Sequence, residues 1–145
     1  MAKISVLVAV YNTEKYLHQC LDSLINQTFD DIEIICINDA STDCSLKILQ
    51  TYEKKDNRVK VLEMPLNSGS AKARNAGLRL ATSDFIAFVD SDDWVSNDAF
   101  EQIYNTFISF PKTDSVLFHV KNVFSNGREE SYFMEDFDHL DGYTS

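Results

Sequence analysis

The sequence predicts an α/β fold: a mostly parallel open sheet flanked by helices, with a C-terminal strand and hairpin region. Three observations carry this. Over residues 1–95, apolar runs alternate with amphipathic stretches in the order β-α-β-α-β-α-β, the order that parallel crossover connections produce. The apolar runs are nearly continuous, as in strands buried on both faces. Polar, acid-rich turns follow these runs, at the carboxyl ends where open α/β sheets bind ligands.

The first strand covers residues 4–10, and a helix begins at Thr13. Tyr16, Leu17, Cys20, Leu21, Leu24 and Ile25 recur at helical spacing as its buried stripe, which ends near Gln27 and Thr28. Residues 32–37 form an Ile-rich second strand. Ser41-Thr42-Asp43 reads as the cap of the next helix, with Leu46, Ile48, Leu49 and Tyr52 facing inward. Residues 59–62 are a short third strand. Asn67-Ser68-Gly69 turns the chain into a helix over residues 70–81, and residues 85–89 form the fourth strand. Beyond it the pattern gives a helix over 98–110 and a strand over 115–124. Asn126-Gly127, between two β-prone runs, marks a hairpin leading into 130–133. Trp94 and the phenylalanines read as core or pocket lining, and His18 as a surface residue.

Composition narrows the function. The chain has 145 residues, 44% hydrophobic and 25% charged, which is long enough for a sizeable core and unlike a disordered or repetitive sequence. Thirteen Lys and Arg against twenty-three Asp and Glu give a net charge of −10, which argues against nucleic acid as a partner. No apolar run approaches the roughly 20 residues of a membrane span. The N-terminal apolar stretch lacks a signal-peptide cleavage pattern and reads as a strand. Cys20, Cys36 and Cys44 have no C-x-x-C spacing and fit reduced thiols in a cytoplasmic protein.

Asp90-Ser91-Asp92-Asp93 is the segment richest in chemistry. Three carboxylates within four residues at the end of a buried strand repel one another, and a divalent cation such as Mg²⁺ or Mn²⁺ would neutralise them. The alternative is an acidic turn capping a helix after Trp94. Arg74, one turn into the third helix, would stand beside the strand ends, where it can pair with a phosphate or with the acidic turn. Gly69 permits the tight entrance to that helix, and Gly77 a close approach to the sheet. Asn38-Asp39 could accept hydrogen bonds from a base or ribose, or simply cap the following helix. Dinucleotide, P-loop and nucleophile-elbow motifs are absent.

In order, these segments resemble the family 2 inverting glycosyltransferases over about residues 3–110. The marks are Ser5 to Asn12 (SVLVAVYN) with Tyr16-Leu17, Leu21 to Thr28 (LDSLINQT), Asn38 to Asp43 (NDASTD), Asn67 to Gly77 in the form N-x-G-x-x-x-A-R-N-x-G, and Phe88 to Trp94 (FVDSDDW). The resemblance implies a GT-A, Rossmann-like fold and a nucleotide-diphosphate-sugar donor, most often a UDP-sugar. It implies a donor-binding core over residues 1–110, with 111–145 starting an acceptor-side region that is truncated here. Ala9 and Tyr11 would line the base pocket beside Asn12, Asp39 would bond the base, and Arg74 would approach the base or diphosphate. Asp90, Ser91 and Asp92 would form the D-x-D element contacting ribose and diphosphate. Asp92, with Asp90 and Asp93, would hold Mn²⁺ or Mg²⁺.

Inversion needs a general base for the acceptor hydroxyl. Asp136, in the sole Glu-Asp dipeptide after the acidic turn, is the candidate in this chain, but it lacks the family's surrounding pattern. The base and the acceptor site are therefore expected outside these residues. The acceptor implied is a glycan or lipid-linked glycan of the cell surface, which would bring the full-length protein to the inner face of the cytoplasmic membrane. Two other readings carry the same motifs less well. One is a nucleotide-binding module without catalysis; the other is a nucleotidyltransferase, whose usual Gly-rich basic loop is replaced here by Tyr11-Asn12-Thr13-Glu14.

Overall fold

The computed structural model describes residues 2–116, 120–124 and 126–132. Strands β1 (Ile4–Val10), β2 (Ile32–Asn38), β3 (Val59–Glu63) and β4 (Phe85–Phe88) alternate with helices α1 (Glu14–Ile25), α2 (Ser45–Lys55), α3 (Ser70–Leu78) and α4 (Ala99–Ser109). These lie in one compact unit, Met1–Phe110. A second unit, Pro111–Ser145, holds the antiparallel pair β5 (Val120–Val123) and β6 (Glu129–Tyr132).

All pairings in the main sheet are parallel, in the order β3-β2-β1-β4. The chain steps outward from β1 to β2 to β3, then returns to place β4 on the other side of β1. That reversal opens a crevice at the carboxyl ends of β1 and β4, the position where such sheets take ligands.

Both faces of the sheet are covered, which explains the continuous apolar strands. Ile4, Val6, Val8 and Val10 of β1 pack with Leu17, Cys20, Leu21 and Leu24 of α1, Leu49 and Tyr52 of α2, and Phe100 and Ile103 of α4. The alternate residues Leu7, Ile35 and Ile37 face Ala73 of α3. Each such Leu, Ile or Val contributes about 1.5–3 kcal/mol when fully buried. Gly77 carries the second face: a Cβ there would lie 2.6 Å from Ile37 Cδ1, so only glycine lets α3 come this close.

Several boundaries differ from the sequence reading, each for a local reason. Helix α1 starts at Glu14, and the hydroxyl of Thr13 is buried with no partner among the described residues rather than capping it. Tyr16 is 53% exposed and lies outside the buried stripe. Helix α2 starts only at Ser45, because Ser41, Thr42 and Asp43 are engaged with the loop after β1. Helix α3 stops at Leu78, where the N–H groups of Leu80 and Ala81 both turn back to the carbonyl of Gly77. Trp94 is 44% exposed and Phe110 64% exposed, so neither belongs to the core. The hairpin forms around Gly127 at φ +79°, but β5 covers only part of the strand expected over 115–124, of which 117–119 lie outside the described residues.

One buried group has no counterpart in the sequence reading. The Glu33 carboxylate, at the amino end of β2, accepts hydrogen bonds from Ser5 Oγ at 2.5 Å, Thr82 N at 2.7 Å and Thr82 Oγ1 at 2.8 Å, and from Lys60 Nζ at 2.8 Å. Burial alone would raise its pKa; the Lys60 ammonium, the Ser5 hydroxyl and the Thr82 donors together bring it down to about 2. It ties β1, β2, β3 and the loop before β4 together at the end of the sheet remote from the crevice.

Candidate functional site

The crevice is built by four loops. After β1, Tyr11 is exposed and Asn12 adopts φ +53°, a left-handed conformation that Asn tolerates better than most residues. Asn12 Oδ1 accepts the N–H of Thr42 at 2.8 Å, and its own N–H donates to Ser41 Oγ at 3.2 Å. Asp43 completes this clasp by accepting the N–H of Glu14 at 3.0 Å, while Glu14 accepts that of Cys44 at 2.8 Å. The loops after β1 and β2 are thereby fixed to each other before any ligand arrives.

After β2, Asp39 is 3% exposed. Its oxygens accept the backbone N–H groups of Ser68 at 2.9 Å and Gly69 at 2.8 Å, at the start of α3. Gly69 has φ +85°, the conformation for which the tight entrance needs glycine. One turn further, Arg74 donates to Asp90 Oδ1 at 2.5 Å, with its guanidinium carbon 5.8 Å from the Phe88 ring centroid. The sequence reading left Arg74 a choice between phosphate and acidic turn, and here it meets the turn.

After β4, the N–H of Val89 still donates to Leu7 of β1, and the N–H of Asp93 closes a turn onto the carbonyl of Asp90. Ser91 is buried, whereas Asp90, Asp92 and Asp93 reach solvent. Partial desolvation and then the charges of Asp92 and Asp90 push the Asp93 carboxyl upward. Cys20 lies against this turn, its Sγ 3.6 Å from the carbonyl of Asp90; burial, then the three carboxylates, push its thiol up to about 12 and keep it protonated. The acidic turn does not cap a helix, because α4 begins only at Ala99 with Asp98 at its cap position.

The structure thus brings Arg74 and Asp90 into contact, places Asp39 beneath the start of α3, and sets Asn12 against the loop after β2. Asp136 lies outside the described residues. Sequence reasoning missed the clasp of Glu14, Ser41, Thr42 and Asp43. No local period signals it, because its partners lie about 30 residues apart and meet only once Val10 pairs with Asn38. Phe88, named there only within the motif and as core or pocket lining, is 49% exposed and lies under the Arg74 guanidinium, a contact the sequence reading did not give.

Among the described residues no three His, Cys, Asp or Glu side chains converge into a closed metal cage. The acidic turn instead offers adjacent hard oxygen donors that reach solvent, with Asp93 disfavoured as an anion by its neighbours. Such a donor set fits Mg²⁺ or Mn²⁺, which take one or two carboxylates and complete their shell with phosphate oxygens and water.

Comparison with known proteins decides the family. The family model described as Glycosyl transferase family 2 matches residues 5–139. The chain belongs to the family 2 glycosyltransferases. Among curated relatives of this glycosyltransferase chain, the poly(ribitol-phosphate) beta-glucosyltransferase of Bacillus spizizenii is 43% identical over 136 residues, covering 92% of this chain and 21% of the relative. Glycosyltransferase GlyA of Streptococcus pneumoniae is 44% identical over 108 residues, 74% of this chain and 15% of the relative. The chain therefore spans about a fifth or less of the length of these relatives. Staphylococcus aureus TarS, solved in complex with UDP-GlcNAc, superposes with a TM-score of 0.70 at 37% identity, over 74% of this chain and 31% of that structure. The parallel sheet flanked by helices is that of the GT-A, Rossmann-like fold.

Proposed function

We propose that this chain is the donor-side part of a metal-dependent, inverting glycosyltransferase that takes a UDP-sugar and delivers the sugar to an acceptor hydroxyl in cell-surface glycan synthesis. The observation that carries the reading is the Arg74–Asp90 pair beside the acidic turn, at the crevice where the strand order reverses. Relatives named for UDP-GlcNAc binding and for poly(ribitol-phosphate) glucosylation support the donor class and the acceptor class respectively.

In this reading Ala9 and Tyr11 border the base, Asn12 keeps their loop in place, and Asp39 lies within reach of the base. Arg74 exchanges part of its bond with Asp90 for the diphosphate, whose paired oxygens match a guanidinium fork. Asp90, Ser91 and Asp92 face ribose and diphosphate. Asp92, with Asp90 or Asp93, holds the divalent cation, which when bound supplies Lewis-acid stabilisation of the negative charge on the departing diphosphate. A chain of net charge −10 would otherwise repel an anionic donor, so a cation at this turn answers both problems.

Inversion requires a carboxylate base on the face opposite the leaving diphosphate, and the reading places it, with most of the acceptor site, outside these 145 residues, Asp136 being the weaker candidate within them. Residues 1–110 are the donor core and 111–145 the start of the acceptor side. No helix of the described residues is long and apolar enough to cross a membrane. A lipid-linked acceptor would bring the full-length protein to the cytoplasmic face of the membrane as a peripheral protein.

Calorimetry with UDP and Mn²⁺ tests the reading. Wild type is expected to bind UDP only with the metal present, and Asp92→Ala to lose at least about tenfold in affinity, the scale on which metal-site changes act. Absence of binding by wild type, or unchanged binding by Asp92→Ala, overturns it.

A further inference from the structure

Asp39 is joined to two distant parts of the chain at once. Its N–H donates to the carbonyl of Val10 at 2.8 Å, and its two carboxylate oxygens hold the N–H groups of Ser68 and Gly69. Those two amides form the opening turn of α3. The carbonyl of Gly69 in turn accepts the N–H of Ala73 at 3.1 Å, the bond that starts the helix. Ala73 is fully buried against the sheet, and the next residue is Arg74. At the far end of the same helix Gly77 rests on Ile37 of β2. Strand β2 and the residue that follows it therefore grip α3 at both ends, and at the ligand-facing end the grip is one carboxylate.

We infer that Asp39 is a positioning residue for Arg74: it fixes the opening turn of α3 and so sets where the guanidinium meets Asp90 and the donor diphosphate. Hydrogen bonds from backbone N–H to an ionised carboxylate are among the stronger ones, and two of them fix both location and orientation of the turn. Removing the carboxylate leaves two donors without their acceptor. A helix start that relaxes by even 1 Å carries Arg74 with it, a displacement large enough to disable a binding constellation. The effect on the donor rests on the function proposed above; the effect on Arg74 does not, and can be read without any ligand.

The experiment is side-chain ¹⁵N NMR of the ligand-free chain, with the Arg74 guanidinium signal assigned through Arg74→Lys. In Asp39→Asn and Asp39→Ala the signal is expected to move to its position in Asp90→Asn, where the ion pair is gone, while backbone signals of β1 and α1 keep theirs. The amides of Ser68 and Gly69 are expected to exchange with solvent at least about tenfold faster in Asp39→Ala than in wild type. Glu33→Gln, a change at the other end of the sheet, is expected to leave the Arg74 signal in place, which separates positioning from general loosening. An unmoved Arg74 signal in the folded Asp39→Asn variant overturns the inference. So do unprotected Ser68 and Gly69 amides in wild type, a measurement that needs no variant to fold. Failure of the donor reading shows separately, as absence of UDP binding by wild type.

Discussion

Arg74 and Asp90 have 36% and 57% of their side chains exposed, so water screens their pair and it contributes only about 0–1 kcal/mol to folding. The proposed function gives the pair a role in binding instead, and Arg74→Lys separates the two. Lysine keeps the charge but has no planar fork and no face to lay over Phe88. Thermal unfolding of Arg74→Lys is expected within about 2 °C of wild type, because a change below roughly 0.5 kcal/mol moves the midpoint that little. UDP affinity with Mn²⁺ is expected to fall at least about tenfold, the equivalent of one charge-assisted hydrogen bond; calorimetry reads it. Glu33 shows the opposite balance. It touches nothing near the crevice, and Glu33→Gln is expected to cost about 1–3 kcal/mol of stability, measured by urea unfolding at pH 7. Because its folded pKa of about 2 lies below the ordinary 4.5, its stabilisation is complete above about pH 4.5 and is lost as pH falls toward 2. The gap between wild type and variant should therefore shrink from pH 5 to pH 3, and a constant gap would count against the ion-paired carboxylate. Arg74 was legible in the sequence because a motif surrounds it. Glu33 was not, because its partners Ser5, Lys60 and Thr82 come together only once the register of three strands is set.

Helix α3 meets the sheet through the smallest side chains it has, Ala73 and Gly77. A methyl group at Gly77 would press on Ile37 Cδ1 at 2.6 Å and on Leu7 Cδ2 at 3.3 Å, both within a fully buried layer. Gly77→Ala gains up to about 1 kcal/mol of helix propensity but incurs about 1–3 kcal/mol of overpacking, so a net loss of stability is expected. Adding Ile37→Val, which removes the crowding methyl, should recover part of that loss. A double-mutant cycle by chemical denaturation measures the coupling, and additivity of the two changes would place the strain elsewhere. The identity and order of elements were legible because each rests on a local period: continuous apolar runs for strands, i, i+4 stripes for helices. Element ends were less so, since they depend on partners distant in sequence. The start of α2 at Ser45 is decided by Asn12 and Glu14, some 30 residues earlier. The exposure of Tyr16 follows from which side of α1 meets β1, and its apolar spacing alone does not settle that.

Among the described residues, the two core clusters draw every buried apolar side chain from the stretch between Ile4 and Ile103, with Tyr104 and Phe107 packed at the margin. Phe100 and Ile103 belong to α4, so this helix is part of the same packed unit as the sheet although it follows the acidic turn. Gln27 reinforces the attachment: its Nε2 donates to the carbonyl of Ser96 at 2.7 Å, and its Oε1 accepts the N–H of Phe100 at 3.2 Å. A chain ending at residue 110 keeps all of this, whereas one ending at residue 97 loses the buried Phe100 and Ile103 from the main cluster and leaves Gln27 without the N–H of Phe100. Deleting one buried aromatic costs about 3–5 kcal/mol, of the order of a small domain's whole stability. Residues 1–110 alone are therefore expected to unfold cooperatively, with a midpoint within about 5 °C of the 145-residue chain, and to bind UDP with Mn²⁺ equally well. Residues 1–97 are expected to show no cooperative transition. Circular dichroism melts of the two truncations, with calorimetry on the longer, distinguish a self-sufficient donor core from one that draws on residues 111–145; loss of folding or UDP binding in 1–110 would establish the latter.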